Sequence, residues 1–490
     1  MLSGQMSLKL SPYSDLYDIV VSKDNILRKI KENVDFSFVN GMVADSYCAD
    51  FGRPAKEPEM MFKLLFLKTW FDLSDRQLIE NARVNMAYKY FLDLNPEDEM
   101  VDASLLSVFR KTHINGEDMM DEMIGESIRQ AIEKGVIKSS SIIVDATHTN
   151  SKANKETPTQ QLRRLTKNVR KEIYKTAYEL HTQFPDKPDE TATLDEEITY
   201  TEKLIEVVNR YTMEHSNIKV EKQITHIKGL LDNRKIETIQ SAVDEDAKTG
   251  HKSKDDPFFG YKTHIAMTQD RLITAAEVTS GEVNDSTQLT TLIEKSTEAG
   301  ICVDEVLGDK AYSSQSNIDY MNKNKIRPIT RKRKYSLPEI NEEKGFVYNK
   351  DSDTFACKAG HLAKSKKFKR RKKVGSHINN AMEYQFDVEK CKKCPYREGC
   401  YKPGAKTKTY TVTIPEDHKD PHLSFEETEY FNKRIKERYK IEAKNGELKQ
   451  AHGFDRCKYM GLSGMKLQTG LSVFVVNIKR ILKLMEYQIG

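Results

Sequence analysis

Three acidic residues occupy positions from which carboxylates could share a cation. In SIIVDATHTNSK the apolar run Ile142, Ile143, Val144 leads directly into Asp145, and in VDEVLGDKAYSS the residues Val303, Val306 and Leu307 precede Asp309. An aspartate after a strand is ordinarily a turn former, because its side chain bonds its own backbone. Two of them at strand ends in one sheet make half of a carboxylate cage for a hard divalent cation, which prefers oxygen ligands. A third acid is then needed. The best candidate is Glu442, spaced with Ile435, Arg438 and Tyr439 along one face of a helix. The same spacing suits a plain ion pair between Arg438 and Glu442, and the residues alone leave both readings open.

A second group with chemical capacity lies in FACKAGH and VEKCKKCPYREGC. Cys391 and Cys394 have CxxC spacing, Cys400 follows, and Cys357 precedes them. Four thiolates suit a tetrahedral structural Zn²⁺, with His361 as a substitute for Cys357; reduced cysteines that merely pack are the other reading. Between these ligands runs KSKKFKRRKK, whose Lys366, Lys367, Lys369, Arg370 and Arg371 read as phosphate contacts for DNA. From Cys357 to Lys408 there are 16 Lys and Arg against 4 Asp and Glu, a local +12 in a chain whose total is +5. Basic charge concentrated in this way meets a polyanion with salt-dependent affinity. Cys48, Cys302 and Cys457 stand alone and are expected to be buried small apolar residues.

The elements that must carry these residues can be placed from pattern. Glu57 to Phe91 has helical spacing, with Leu64, Leu67, Phe71, Leu78 and Ala82 recurring and with Ser74 and Asp75 able to cap a second helix. Two such helices form either a DNA-reading helix-turn-helix or a plain packing hairpin. A further helix through Met119 to Lys134 ends at Gly135. Residues 155 to 242 are charged and amphipathic, with Leu162, Leu165, Val169, Ile173, Leu204, Val207, Val208 and Tyr211 at helical spacing, and PDKPDE breaks them into at least two helices. GYKTHIAMT and LITAAEVTS, separated by QDR, predict a hairpin; a helix follows from about Asp285, and KIRPIT predicts another strand. SFEE, with Ser424 and Glu427 as a capping box, predicts the start of the long helix that carries Glu442.

The order of these blocks resembles DDE-class transposases of bacterial insertion sequences, whose catalytic domain is RNase H-like. In that family the first acid follows an apolar strand, as in VDATHT, and the second sits in a motif like GDKAY. The third lies in a helical signature of Tyr, two residues, Arg, three residues, Glu, six residues, Lys. Asp145, Asp309, Glu442, Arg438 and Lys449 match it, while Ile435 takes the place of the tyrosine. EAKNGELKQAHGFDRCKYMGL, NIKRILKL and FLDLNPEDEMVDASLLSVFRK also resemble the family, so that the likeness touches most of the chain.

The resemblance implies an α/β fold: an RNase H-like mixed-sheet catalytic core with an α-helical N-terminal domain, a helical insert and a basic Cys-containing insert. On this reading 1–135 is the helical domain, with a possible DNA-binding role, and 136–154 with 243–330 supply the core strands. Residues 155–242 are the helical insert, 331–423 the basic insert and 424–490 the C-terminal core helices. It implies that Asp145, Asp309 and Glu442 hold two Mg²⁺ (or Mn²⁺) ions and that Arg438 and Lys449 bind DNA phosphate. The reaction implied is strand cleavage at element ends followed by strand transfer, on double-stranded DNA, by at least a homodimer. An inactive transposase-derived DNA-binding protein and a plain RNase H-like nuclease share many of these features; only joined products separate the second from a transposase.

Bulk properties agree with that class. A chain of 490 residues with 38% hydrophobic content is ample for two or three domains. No stretch approaches the roughly 18 consecutive apolar residues of a membrane span, and Met1 to Asp15 lacks the pattern of a secretory signal. The odd cysteine count, with four crowded between 357 and 400, suits metal ligation in a reducing compartment better than disulfides. A cytoplasmic, nucleoid-associated protein without a membrane partner is therefore expected.

Overall fold

The computed structural model describes residues 11–48, 55–114, 118–253, 255–332, 345–349, 352–369, 380–414 and 421–489. Arg370 and Arg371 lie outside them.

The chain is mixed α/β, and its largest sheet is mixed as well. β1 (Ser141–Asn150) is central: it runs antiparallel to β3 (Asp256–Thr268) and parallel to β5 (Glu305–Gly308). β2 (Lys248–Ser253) and β4 (Ile273–Ser280) both pair with β3, and β6 (Arg327–Thr330) closes the other side beside β5. Side chains alternate across a strand. Accordingly Ile142 and Val144 enter one core cluster while Ile143 enters another, which is why the run before Asp145 is continuously apolar instead of alternating. The predicted hairpin is β3 and β4, turning at Arg271 with φ 68°. β2 was not expected from pattern, because KTGHKS carries no apolar residue to mark a face.

Helices cover both faces of this sheet. Pro58–Trp70 is buried almost all round, and Asp75–Val84 follows it with Ser74 and Gln77 forming a reciprocal capping box. Phe36, Phe62 and Phe66 of the first ninety residues meet Phe474 of the last helix, Gly461–Ile489, at ring separations of 6.0, 5.7 and 6.0 Å. The chain's two ends thus share one core with the sheet. The Met119–Glu133 helix stops at Gly135, whose φ of 64° is the left-handed conformation of a helix terminator.

Two units interrupt the sheet. Helices Pro158–Thr176, Leu194–Glu214 and Ile218–Leu231 bury Leu162, Val169, Ile173, Leu204 and Val208 in a cluster of their own. Further on, β7 (Phe346–Asn349) pairs with β8 (Thr354–Cys357), and β9 (Ser365–Lys369), β10 (Asn380–Phe386) and β11 (Lys408–Ile414) form a three-stranded sheet. These two sheets share an aromatic core of Phe346, Tyr348, Phe355, Tyr384, Phe386 and Tyr410.

The expected capping box at Ser424 is a correction. Ser424 lies inside a short helix, Pro421–Glu426, and the next helix, Glu429–Ile435, is capped by Thr428, whose side chain accepts from the Phe431 N–H. Burying Phe431 completely sets the break there. A 3₁₀ turn at Lys436–Arg438 then leads into the helix Tyr439–His452. Two lone cysteines also depart from expectation: Cys457 is buried, but Cys48 and Cys302 are exposed.

His452 sits where three helices meet. Its Nε2 is 3.5 Å from Lys479 Nζ, which in turn lies 4.6 Å from the Trp70 ring centroid. Burial, helped by Lys479, pushes the His452 pKa down to about 4 from 6.5. The unfolded chain therefore binds more protons than the folded one between these values, so stability is intact above pH 6.5 and falls as the pH drops toward 4. Urea unfolding is expected to show a loss of roughly 3 kcal/mol from this residue across that window. His452→Leu should flatten the pH dependence by that amount; an unchanged slope would assign the acid sensitivity elsewhere.

Candidate active site

The geometry starts from register. Along the parallel β1–β5 ladder Ile143 stands opposite Leu307, and two residues further on each chain lie Asp145 and Asp309. A Cβ on the intervening Gly308 would stand 3.1 Å from Val144 Cγ2 and 3.2 Å from Thr330 Cγ2, so β5 remains wedged between β1 and β6 up to the step before Asp309. By alternation Asp145 faces the side on which Ile143 is buried. The turn after Asp309 is held by its own carboxylate, whose Oδ1 accepts from Ala311 N–H at 2.8 Å. It is held also by Asn317, which donates to the Tyr312 and Ser286 carbonyls.

Only Asp309 ends its strand as expected; Asp145 lies in the middle of β1, which continues to Asn150 because β3 still pairs with it there, and beside Asp145 lies the Tyr439–His452 helix. Ile441, Lys444 and Leu448 are its buried face, with Ile441 and Leu448 in the same cluster as Ile143. Beside that face Glu442, Asn445 and Lys449 follow one another at spacings of three and four, which makes them one stripe. Asn445 Nδ2 donates to Asp145 Oδ2 at 3.0 Å, fixing the stripe against β1. Lys449 is half-buried; burial lowers its pKa, while Asp455 and Asp145 act the other way. The helix is stopped by Gly453 at φ 64°, and the following loop is stitched to β1: Asn150 N–H donates to the Asp455 carbonyl at 2.9 Å, and Cys457 N–H to the Asn150 carbonyl at 2.8 Å.

Family comparisons place the chain. Residues 14–112 match a transposase domain (DUF772), and residues 223–345 and 356–482 each match a transposase DDE domain. The chain belongs to the DDE-class transposases, of insertion-sequence type. The matched stretches do not overlap and together span more than two thirds of the transposase. No curated protein matches it. A structure described as the piggyBac transposase synaptic complex with hairpin DNA is similar at 9% identity and a TM-score of 0.31, over 94% of this chain and 74% of that one; at that score it carries no argument.

The predicted site residues of the transposase are not equally close. Asp145, within β1, and Asp309, just after β5, each lie two residues past the paired Ile143 and Leu307, and Lys449 lies within electrostatic reach of Asp145. Glu442 is exposed, one turn before Asn445 on the same stripe. Among the described residues, no three His, Cys, Asp or Glu side chains are grouped so as to hold a metal ion, and no ion pair joins Arg438 to Glu442. Arg438 Nε is buried without a hydrogen-bond partner, a donor suited to a phosphate oxygen. The donor set is entirely oxygen, the chemistry that fits Mg²⁺ or Mn²⁺. Asn445 was missed, though its spacing of three from Glu442 and four to Lys449 was a readable signal.

His148, further along β1, is pushed down to about 4 by burial and then by Lys449, Lys252 and Lys262. Cationic side chains therefore collect around the far end of this strand. In the insert, Lys366, Lys367 and Lys369 lie on β9, which is exposed throughout; Lys366 pairs with Asp353, and Lys369 with Glu383 at 2.5 Å. Cys357, Cys391, Cys394 and Cys400 line one cavity of about 30 Å³ together with His361.

Proposed function

We propose that the transposase cuts DNA at the ends of an insertion sequence and joins them to a target, using Asp145, Asp309 and Glu442 as an oxygen cage on an RNase H-like core. What supports this most is the placement of Asp145 within β1 and of Asp309 just after β5, each two residues past the paired Ile143 and Leu307, with the Glu442–Asn445–Lys449 stripe held against Asp145. DDE transposases generally use divalent metals such as Mg²⁺. Bound to such carboxylates, two ions would activate water or a 3′-hydroxyl and neutralise the leaving oxygen of an in-line displacement. The chain's own task is positioning, since phosphoryl transfer asks for little covalent chemistry from protein. Arg438 and Lys449 would hold a phosphate beside the acids, and Lys366, Lys367, Lys369, Arg370 and Arg371 would meet DNA further away. Joining two ends calls for two copies of the chain, so a homodimer on DNA belongs to the same reading.

A Zn²⁺ held by Cys357, Cys391, Cys394 and Cys400 is also proposed. Its support is that all four thiols line one cavity; among the described residues they are not grouped closely enough to hold an ion, so binding would draw them together into a tetrahedral set.

Incubation of the purified protein with its element's terminal repeats, a target plasmid and Mg²⁺ is expected to give both cut and joined DNA. EDTA should stop both. Cutting without joining would indicate a plain nuclease, and activity that survives chelation would overturn the metal mechanism.

A further inference from the structure

We propose that Asn445 belongs to the acidic site: its amide nitrogen holds Asp145 in place and its carbonyl oxygen serves as a neutral oxygen donor to the divalent cation. This rests on the reading that Asp145 is a metal ligand.

The orientation of the Asn445 carboxamide follows from chemistry. An ionised carboxylate only accepts hydrogen bonds, so the group that Asn445 turns toward Asp145 Oδ2, 3.0 Å away, must be the NH₂. The carbonyl oxygen is thereby directed away from that bond. This Oδ1 is buried and meets no hydrogen-bond donor. A buried carbonyl without a partner is unfavourable, and a residue whose only task was to fill this space would not need one. Hard cations accept amide oxygens alongside carboxylates, and a ligating carboxylate is itself ordinarily held by a hydrogen bond. Asn445 combines both capacities on one side chain.

Its position supports the same role. Asn445 is one turn from Glu442 and one turn from Lys449, and between them it is the residue of the stripe that hydrogen-bonds Asp145 of β1. Ile441 and Leu448, both fully buried, prevent the helix from rotating the stripe away from β1. A cation drawn to Asp145 would thus find an amide oxygen already fixed nearby, with no side chain to be ordered on binding.

The test is Mn²⁺ binding to the full-length protein without DNA, read from the free Mn²⁺ signal by electron paramagnetic resonance, together with thermal melts with and without Mn²⁺. Wild type should bind saturably, and Asp145→Asn should lose that binding. Asn445→Ala should raise the Mn²⁺ dissociation constant about tenfold, the usual size of such an outer contact, with the metal-free melting temperature little changed. Asn445→Asp should do the opposite: facing Asp145 with a second carboxylate, it should melt lower without metal, bind Mn²⁺ more tightly and recover its melting temperature when Mn²⁺ is added. Unchanged Mn²⁺ affinity in both Asn445 variants, or a loss of stability that Mn²⁺ does not restore in Asn445→Asp, would overturn the inference and leave a structural asparagine. If Asp145→Asn binds Mn²⁺ like wild type, or wild type binds none, the metal-holding role of Asp145 fails first.

Discussion

Asp145→Asn and Asp309→Asn are each expected to reduce strand cleavage by about a thousandfold or more, the scale seen when a charge-stabilising group leaves an active site, while DNA binding stays within about twofold. The structure explains why folding should survive. An asparagine at 145 can turn its carbonyl toward Asn445 and keep that hydrogen bond. An asparagine at 309 still caps the following turn, because asparagine and aspartate are comparable caps. What each substitution removes is one negative charge beside the β1–β5 pairing, with almost no change in volume. Melting temperatures should therefore stay close to wild type. Glu442→Gln, on an exposed side chain, is expected to lose cleavage without any cost in stability. A strand-nicking assay and a gel-shift titration on the same preparations decide the matter. If a variant nicks at near wild-type rate, its residue is not part of the cage.

Much of this site was legible because the residues that carry it also carry the fold. Asp145 and Asp309 are marked by the apolar β-branched runs before them, and those runs are apolar because β1 and β5 are buried on both faces. Pattern could also give the hairpin of β3 and β4, since both strands are bounded by turn residues. The cap at Ser424 misled for a physical reason: Ser and Thr within a few residues of each other both satisfy the local rule. Thr428 caps the helix whose Phe431 is fully buried, while Ser424 lies inside the preceding short helix. Local propensity cannot see that preference, which belongs to packing against the sheet.

The basic insert was the least legible segment. Its charge and cysteines were plain, but its five strands were not, because lysines occupy strand positions in β9 that ordinarily announce a loop. Those lysines have no apolar face to reveal, and their pairing with β10 is sustained by Tyr384 and its neighbours on the adjacent strand. Asn445 escaped for a different reason. A single amide in a helix carries no signal until the strand opposite it is known, and only the fold supplies Asp145 as its partner.

Purified without chelator, the transposase is expected to carry about one Zn²⁺ per chain, as a four-thiolate site requires. Cys357 ends β8, while Cys391, Cys394 and Cys400 lie beyond β10, so an ion shared among them would tie the two small sheets together at one edge of their aromatic core. Burial and the neighbouring thiols raise the pKa of Cys357 and of Cys391. Metal binding must displace their protons, which makes occupancy fall as the pH is lowered. Cys391→Ser together with Cys394→Ser removes half of the ligand set and should abolish the zinc. Because β9 is exposed along its length and held by pairing with β10 and by the Lys366–Asp353 ion pair, loosening the insert should disperse Lys366, Lys367 and Lys369. The slope of log affinity against log salt should then shrink by about 2 to 3, close to one for each phosphate that is no longer neutralised. Protease should cut the variant within the insert and spare the central sheet. Zinc-free wild-type protein, or a double variant whose salt dependence equals wild type, would mean that the aromatic core holds this insert without metal.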